Sequence, residues 1–296
     1  MTLDRRAFLS TTAGGVLWLT TERLPAADGL DEFSFIVITD SHLGRADDDK
    51  AEKQWRRAIR EINDTPGEFV LHLGDVVDSG REPLYPVYAE SRKELNKPIH
   101  EVPGNHDPTE LFEKHIHTPI DRSFDSHGVR FILFNNAHRD SHLGFITPEQ
   151  VAWIDKECSE AKGRDLKIVI CCHVPVHVNA PPDRAWYVKP ADGQTAFYEV
   201  TDRYSDRLLA CFHGHFHNGI RGWRDRGSMA EILFPSVCYN QDRNLAAAIA
   251  AGRAKGFFVE ELYPGYVLAT LGKGKLTLRY KPLGKEVHGE YAAEWS

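Results

Sequence analysis

Phe33-Ser34-Phe35-Ile36-Val37-Ile38-Thr39-Asp40-Ser41-His42 is an apolar run of strand length that closes on a carboxylate and an imidazole. Four other short runs rich in Ile, Val, Leu and Phe end in a similar way. Residues 69–73 lead into Gly74-Asp75-Val76-Val77-Asp78, and residues 99–102 into Pro103-Gly104-Asn105-His106-Asp107. Residues 167–172 lead into His173, and 208–212 into Gly214-His215-Phe216-His217. Such runs read as mostly buried strands. Open α/β sheets collect their ligands at the carboxyl ends of strands, so five polar clusters placed there are expected to share one pocket.

Between these runs lie helical segments. Residues 50–62 place Trp55, Ile59 and Ile62 on one face, with Asp47, Asp48 and Asp49 at the positive end and Pro66-Gly67 beyond the stop. Residues 148–161 carry stronger signals: Thr147 as cap, Pro148 in the first turn, Gln150 to complete a capping box, and Gly163 after the end. With a further strand at 129–134, the alternation predicts an α/β domain. In the tail, 266–271 and 275–280 read as two strands around a Gly272-Lys273-Gly274 turn, expected to complete a second sheet within residues 257–281. The Ala-rich stretch 244–255 reads as a short helix or a lid.

The chain has 296 residues, 42% of them hydrophobic, enough for one domain with a full core, expected over 28–296. A net charge of -7 leaves no basic surface to track a nucleic-acid backbone, so no stable nucleic-acid partner is expected. Asp4-Arg5-Arg6-Ala7-Phe8-Leu9 and the mildly apolar run to Leu19 resemble a twin-arginine export signal over residues 1–27, with cleavage near Ala26 or Ala27. The run is too short to span a bilayer, and an ordinary amphipathic N-terminal helix is the alternative. The resemblance implies passage through the twin-arginine machinery to a periplasmic or extracellular location. Of five cysteines, Cys171, Cys172 and Cys211 read as small buried hydrophobes, while Cys158 and Cys238 can pair only if the fold brings them together.

Carboxylate and imidazole groups suit Mn, Fe or Zn ions, and the lack of a Cys-x-x-Cys pair argues against a thiolate structural zinc site. Two residues apart on an extended chain, Asp40 with His42 and His215 with His217 reach the same side. Gly74, Gly104 and Gly214 permit the tight turns that aim them inward.

The joint pattern resembles the calcineurin-like metallophosphoesterase superfamily over residues 33–239. That resemblance implies a four-layer αββα sandwich with two mixed β-sheets and a centre of two divalent or trivalent ions, Mn, Fe or Zn. Asp40, His42 and His217 would hold one ion, Asn105, His173 and His215 the other, and Asp75 would bridge them. It further implies in-line attack by a metal-bridging hydroxide, with His106 as general acid and Asp78 orienting His106. Ser79 stands where protein Ser/Thr phosphatases carry an Arg, Asp107 where they carry Glu, and Asp78 where purple acid phosphatases carry a Tyr. Residues 102–107, Gly144 to Thr147 and Trp153 look most like the bacterial cyclic-nucleotide phosphodiesterase-like branch.

The expected substrate is a small phosphomonoester or phosphodiester. A nuclease, a phospholipid-headgroup phosphodiesterase and an inactive binding module of the same fold are the competing readings. Arg184, Trp186 and Tyr187 lie in a Pro- and Gly-punctuated segment where such a fold builds its substrate rim. Arg184 can bind a phosphate oxygen and the two aromatic rings can stack on a base or sugar, or all three can simply cover apolar surface. His138, His142, His177 and His213 read as supporting or surface residues.

Overall fold

The computed structural model describes residues 10–12, 16–21, 30–45, 49–179, 184–217, 219–223, 229–239, 251, 263–284 and 289–295. The strands in chain order are β1 Ser10–Thr12, β2 Val16–Thr21, β3 Phe33–Ile38, β4 Val70–His72, β5 Ile99–Glu101, β6 Arg122–Ser126 and β7 Val129–Leu133. They continue as β8 Lys167–Cys171, β9 Leu208–His213, β10 Arg221–Trp223, β11 Ala230–Leu233, β12 Gly265–Gly272, β13 Lys275–Pro282 and β14 Gly289–Trp295. The α-helices are α1 Lys50–Asn63, α2 Tyr85–Ser91, α3 Thr109–His115, α4 Pro148–Gly163 and α5 Gln194–Arg203.

One sheet has the order β1-β2-β14-β13-β12-β3-β4-β5 and the other β10-β11-β9-β8-β7-β6, both with parallel and antiparallel neighbours. Alternation along β3 explains how the layers stack. Phe33, Phe35 and Val37 point into the core between the sheets, where they meet Phe131, Val169 and Phe212 of the other sheet. Phe35 stacks on Phe69 at 5.1 Å and meets Phe131 edge-on at 5.4 Å. Ile36 and Ile38 point outward to Trp55, Ile59 and Ile62 of α1 and Phe112 of α3. On the far side, Ile168 and Ile170 of β8 pack under Ile154 and Ala161 of α4 and Phe197 of α5. Helix, sheet, sheet, helix is the four-layer αββα sandwich expected from the resemblance.

The cap of α4 forms as read: the Thr147 side chain accepts from the Gln150 N–H at 3.1 Å, and the Gln150 side chain accepts from the Thr147 N–H at 3.0 Å. The C-terminal hairpin forms too, turning at Lys273-Gly274, and it belongs to the sheet that holds the first motif strand. β12 pairs antiparallel with β3, Val267 opposite Val37, so the hairpin extends the sheet of the first motif strand and not the one built on β7, β8 and β9. The reason is that β3 has β4 on one side only, and the apolar face of β12, Val267, Ala269 and Leu271, continues the intersheet core.

Cys158 and Cys238 are both buried free thiols, so they do not pair. The Ala-rich stretch 244–255 lies outside the described residues except for position 251, as does most of the export-signal segment apart from β1 and β2. Among the described residues no helix is long and apolar enough to cross a membrane.

Candidate metal centre

The five polar clusters meet where the carboxyl ends of the two sheets adjoin. β3, β4 and β5 of one sheet deliver Asp40 and His42, Asp75, and Asn105 with His106; β8 and β9 of the other deliver His173, then His215 and His217. All seven expected ligands are buried. They do not use extended backbone, as the two-residue spacing suggested. Asp40 (φ 57), His42 (φ 41), Asp75 (φ 56), His215 (φ 77) and His217 (φ 53) all lie in the left-handed region. Each such residue costs on the order of 1–3 kcal/mol, and backbone strain of that kind persists where the surrounding fold over-determines it.

Three glycines make room for this arrangement. A Cβ on Gly104 would stand 2.1 Å from Asp75 Oδ1, one on Gly74 would stand 2.6 Å from His173 Nδ1, and one on Gly214 would stand 2.0 Å from Thr39 Oγ1 and 3.0 Å from Asp40 Oδ2.

The donor atoms fall into two groups that share one oxygen. Asp40, His42, Asp75 and His217 form one, and Asp75, His173 and His215 the other, each with its atoms within 4.8 Å of one another. Asp75 Oδ2 is 3.3 Å from His42 Nε2 and 3.3 Å from His173 Nε2. His217 Nε2 is 2.7 Å from Asp40 Oδ1 and 3.2 Å from His42 Nε2, and His173 Nε2 is 3.1 Å from His215 Nδ1. For ligands about 2.0–2.2 Å from a tetrahedral ion, neighbouring donors stand roughly 3.4 Å apart, close to these spacings. Asn105 Oδ1 is buried with no partner among the described residues. The residues therefore fit a pair of cations.

Three of the four histidines are oriented by their outer nitrogen, as metal-bound histidines commonly are. His42 Nδ1 faces Asp78 Oδ1 at 3.0 Å, His173 Nδ1 faces the Leu73 carbonyl at 2.6 Å, and His215 Nε2 faces the His142 carbonyl at 3.1 Å. Burial opposes the charge on Asp40 and Asp75, but the surrounding histidines outweigh it and hold both well below the ordinary carboxylate range. Burial lowers His173, and Asp75 and Asp40 more than offset that, lifting it to about 9. The two carboxylates are thus held charged among the histidines, the state in which they can accept cations.

Asp78 stands close to both His42 and His106. Asp78 engages His42 at 3.0 Å, while His106 Nδ1 is 3.5 Å away. His106 Nδ1 accepts instead from the Ser79 N–H at 3.0 Å, which leaves Nε2 as the protonated nitrogen of the neutral ring. Burial, reinforced by His42, pushes His106 below its ordinary value. Of the rim residues, Trp186 lies 5.0 Å from the His215 ring and stacks on His142 at 3.9 Å, with the Arg184 guanidinium 4.9 Å from its centroid. Arg184 Nε and Nη2 are buried without a partner among the described residues. Tyr187 has Lys189 Nζ over its ring at 3.7 Å.

From the sequence, Asp107 and Tyr239 have no role and His142 reads as a supporting or surface residue. Asp107 accepts from the N–H groups of Gly104, Val76 and Val77 at 3.0, 3.0 and 3.2 Å and from the Tyr85 hydroxyl at 3.0 Å, tying the Asp75 loop to the Asn105 loop. Tyr239 packs against His217 at 4.4 Å and lies under Arg45 at 4.1 Å. His142 holds His215 through a carbonyl, which no side-chain pattern signals.

The model of the calcineurin-like phosphoesterase family matches residues 33–219, which span all five clusters. The chain belongs to that family. Among curated relatives it is 24% identical over 241 residues to a 3',5'-cyclic-nucleotide phosphodiesterase from Nostoc sp., covering 78% of this chain and 88% of that one. It is 23% identical over 199 residues to a probable glycerophosphodiester phosphodiesterase from Arcobacter nitrofigilis, covering 61% and 71%. A dimetal phosphatase from Danio rerio superposes with a TM-score of 0.66 at 15% identity, covering 89% of this chain and 99% of that one, a likeness of fold. The protein is a metal-dependent phosphoric ester hydrolase.

Proposed function

We propose that the protein hydrolyses phosphodiesters of small molecules at a binuclear centre. Asp40, His42 and His217 would hold one ion and Asn105, His173 and His215 the other, with the Asp75 carboxylate placed between the two sets. The observation that carries this reading is Asp75 Oδ2, placed 3.3 Å from a ring nitrogen of each group. Two ions bound there would supply an activated water and offset the charge of the phosphate. Nitrogen and oxygen donors suit Mn, Fe or Zn.

The protein's own residues then divide the remaining work. His106 gives the proton on Nε2 to the departing alkoxide. The charged ring this requires carries a second proton on Nδ1, which gives up the Ser79 N–H and turns to Asp78, 3.5 Å away, while Asp78 also holds His42. Arg184 brings two buried N–H-bearing nitrogens, without a partner among the described residues, to the side of the pocket where Trp186 stands, and a phosphate oxygen there would satisfy them. Trp186 offers a ring face to the organic part of the substrate. The named activities of the Nostoc and Arcobacter relatives support a diester over a monoester.

A phospholipid headgroup is the second reading. Leu143, Phe145 and Val178 are exposed large hydrophobics on the two loops that carry His142 and Trp186. The arginine pair and short apolar run at the N-terminus support export through the twin-arginine machinery to the periplasm or beyond. The deciding experiment is a panel of chromogenic mono- and diesters, cyclic nucleotides, glycerophosphodiesters and phospholipid vesicles, run on metal-stripped protein restored with Mn, Fe, Zn, Co or Mg. Turnover of soluble diesters above monoesters is expected. Turnover confined to monoesters or to vesicles would overturn the assignment.

A further inference from the structure

A second cluster of metal-binding side chains lies behind the binuclear pocket and takes no part in the proposed reaction. Cys172 follows β8, and Cys211 and His213 end β9, on the face of that sheet turned toward α4 and α5. All three are buried, and their donor atoms lie within 4.8 Å of one another. Cys172 Sγ stands 3.4 Å from His213 Nδ1.

The other ring nitrogen of His213 is committed. Nε2 is 3.0 Å from Glu231 Oε2, and Glu231 is itself held by the His177 N–H at 2.8 Å and the Tyr198 hydroxyl. A buried carboxylate so fixed makes Nε2 the donor, and Nδ1 then faces the sulfurs with either a proton or a cation between. A histidine that binds metal through one nitrogen and donates to a carboxylate through the other is the usual arrangement of such ligands. The distance also agrees: metal–sulfur bonds of about 2.3 Å and metal–nitrogen bonds of about 2.0–2.1 Å around a tetrahedral ion put S and N roughly 3.5 Å apart.

We propose that Cys172, Cys211 and His213 form a third metal site, separate from the binuclear pair, for a thiophilic d10 ion, Zn(II) or Cu(I). Two thiolates and an imidazole are soft donors that select such ions, whereas the donor groups of the binuclear pocket among the described residues include no sulfur. Binding forms two metal–sulfur bonds and one metal–nitrogen bond and releases the two thiol protons and any proton on Nδ1, with no change of oxidation state. Cys172 precedes His173 by one residue and His213 precedes His215 by two, so the ion braces the strand ends that carry two ligands of the binuclear centre. The site needs neither the diester assignment nor any particular substrate.

The test uses the full-length protein produced in medium supplemented with zinc and, separately, with copper. Metals are counted by plasma mass spectrometry after exhaustive chelation of the accessible pair, and X-ray absorption is recorded on the retained ion. One equivalent per chain, retained after chelation and showing sulfur scattering, is expected, and whether zinc or copper remains identifies the ion. Protein reconstituted with Cd(II) should show near-ultraviolet thiolate-to-cadmium absorption. Cys211→Ala should lose that band and one equivalent of metal, while Cys158→Ala should keep both. Wild-type protein that never exceeds two ions, with no sulfur scattering from zinc or copper and no cadmium band, would overturn the proposal even if the Cys211 variant fails to fold. A Cys211→Ala protein that retains the third ion would overturn it as well.

Discussion

Gly104→Ala tests the packing of the centre with a single methyl group. The new Cβ would lie 2.1 Å from Asp75 Oδ1 and 2.5 Å from the Asp75 backbone nitrogen, so rotating the carboxylate away cannot relieve the clash. Gly104 has no left-handed φ, so the effect is steric and not a matter of backbone preference. To reach ordinary contact Asp75 must retreat by about 1 Å, and a displacement of that size at a reacting centre costs roughly 100-fold in turnover. Overpacking adds about 2 kcal/mol of destabilisation, roughly 5 °C in Tm. The assay is kcat on a chromogenic phosphodiester with saturating Mn, alongside thermal melting and metal content. Gly163→Ala is the control: nothing lies within 4 Å of its Cβ at the end of α4, so turnover should be unchanged and Tm equal or higher. A Gly104→Ala protein with wild-type kcat and two bound ions would refute the reasoning.

Asp107→Asn should cost about 1–3 kcal/mol and lower metal affinity about 10–100-fold, because an amide nitrogen would replace one oxygen that now accepts from two donors; isothermal titration with Mn measures it, and unchanged affinity would contradict the role. His106→Ala should retain both ions and lose turnover about 10²–10⁴-fold on alkyl diesters, but far less on nitrophenyl diesters whose leaving group needs no proton; equal losses on both would rule out an acid. His72 is buried with Nδ1 accepting from the Gly74 N–H and Nε2 on Ser41 Oγ, and burial pushes it down to about 3. Between pH 6.5 and 3 the unfolded chain therefore binds a proton that the folded chain refuses, so stability falls as pH falls, by on the order of 4 kcal/mol across the window. Denaturant unfolding of His72→Gln should show a shallower slope between pH 6.5 and 4, and identical slopes would disprove the linkage.

Much of this architecture was legible because chemistry and periodicity coincided. Each motif follows a strand whose alternating residues face two different apolar layers, and Thr147-Pro148-Glu149-Gln150 specifies a helix start with local bonds alone. β6 escaped notice because Arg122, Ser123, Asp125 and Ser126 leave Phe124 as its one apolar residue, as suits an edge strand. α5 escaped because Gly193 at its cap offers no side-chain signal. The sheet joined by the C-terminal hairpin depends on which edge is free, a tertiary fact. In the site, residue type revealed the groups that line the pocket, but not the left-handed backbone that aims five of them. Nor could it reveal Asp107, whose partners are mostly backbone N–H groups, or a ligand held by the His142 carbonyl.

The central claim is that Asp75 joins two ions in one centre. Metal content and diester turnover measured together on Asp75→Asn and wild type, each stripped and titrated with Mn, test it most directly. Wild type should bind two ions at the pocket and gain activity as they bind. The variant, with an uncharged amide in place of the shared carboxylate, should lose metal affinity and turnover together. An Asp75→Asn protein that binds two ions there with wild-type affinity and turns over at the wild-type rate would contradict the account.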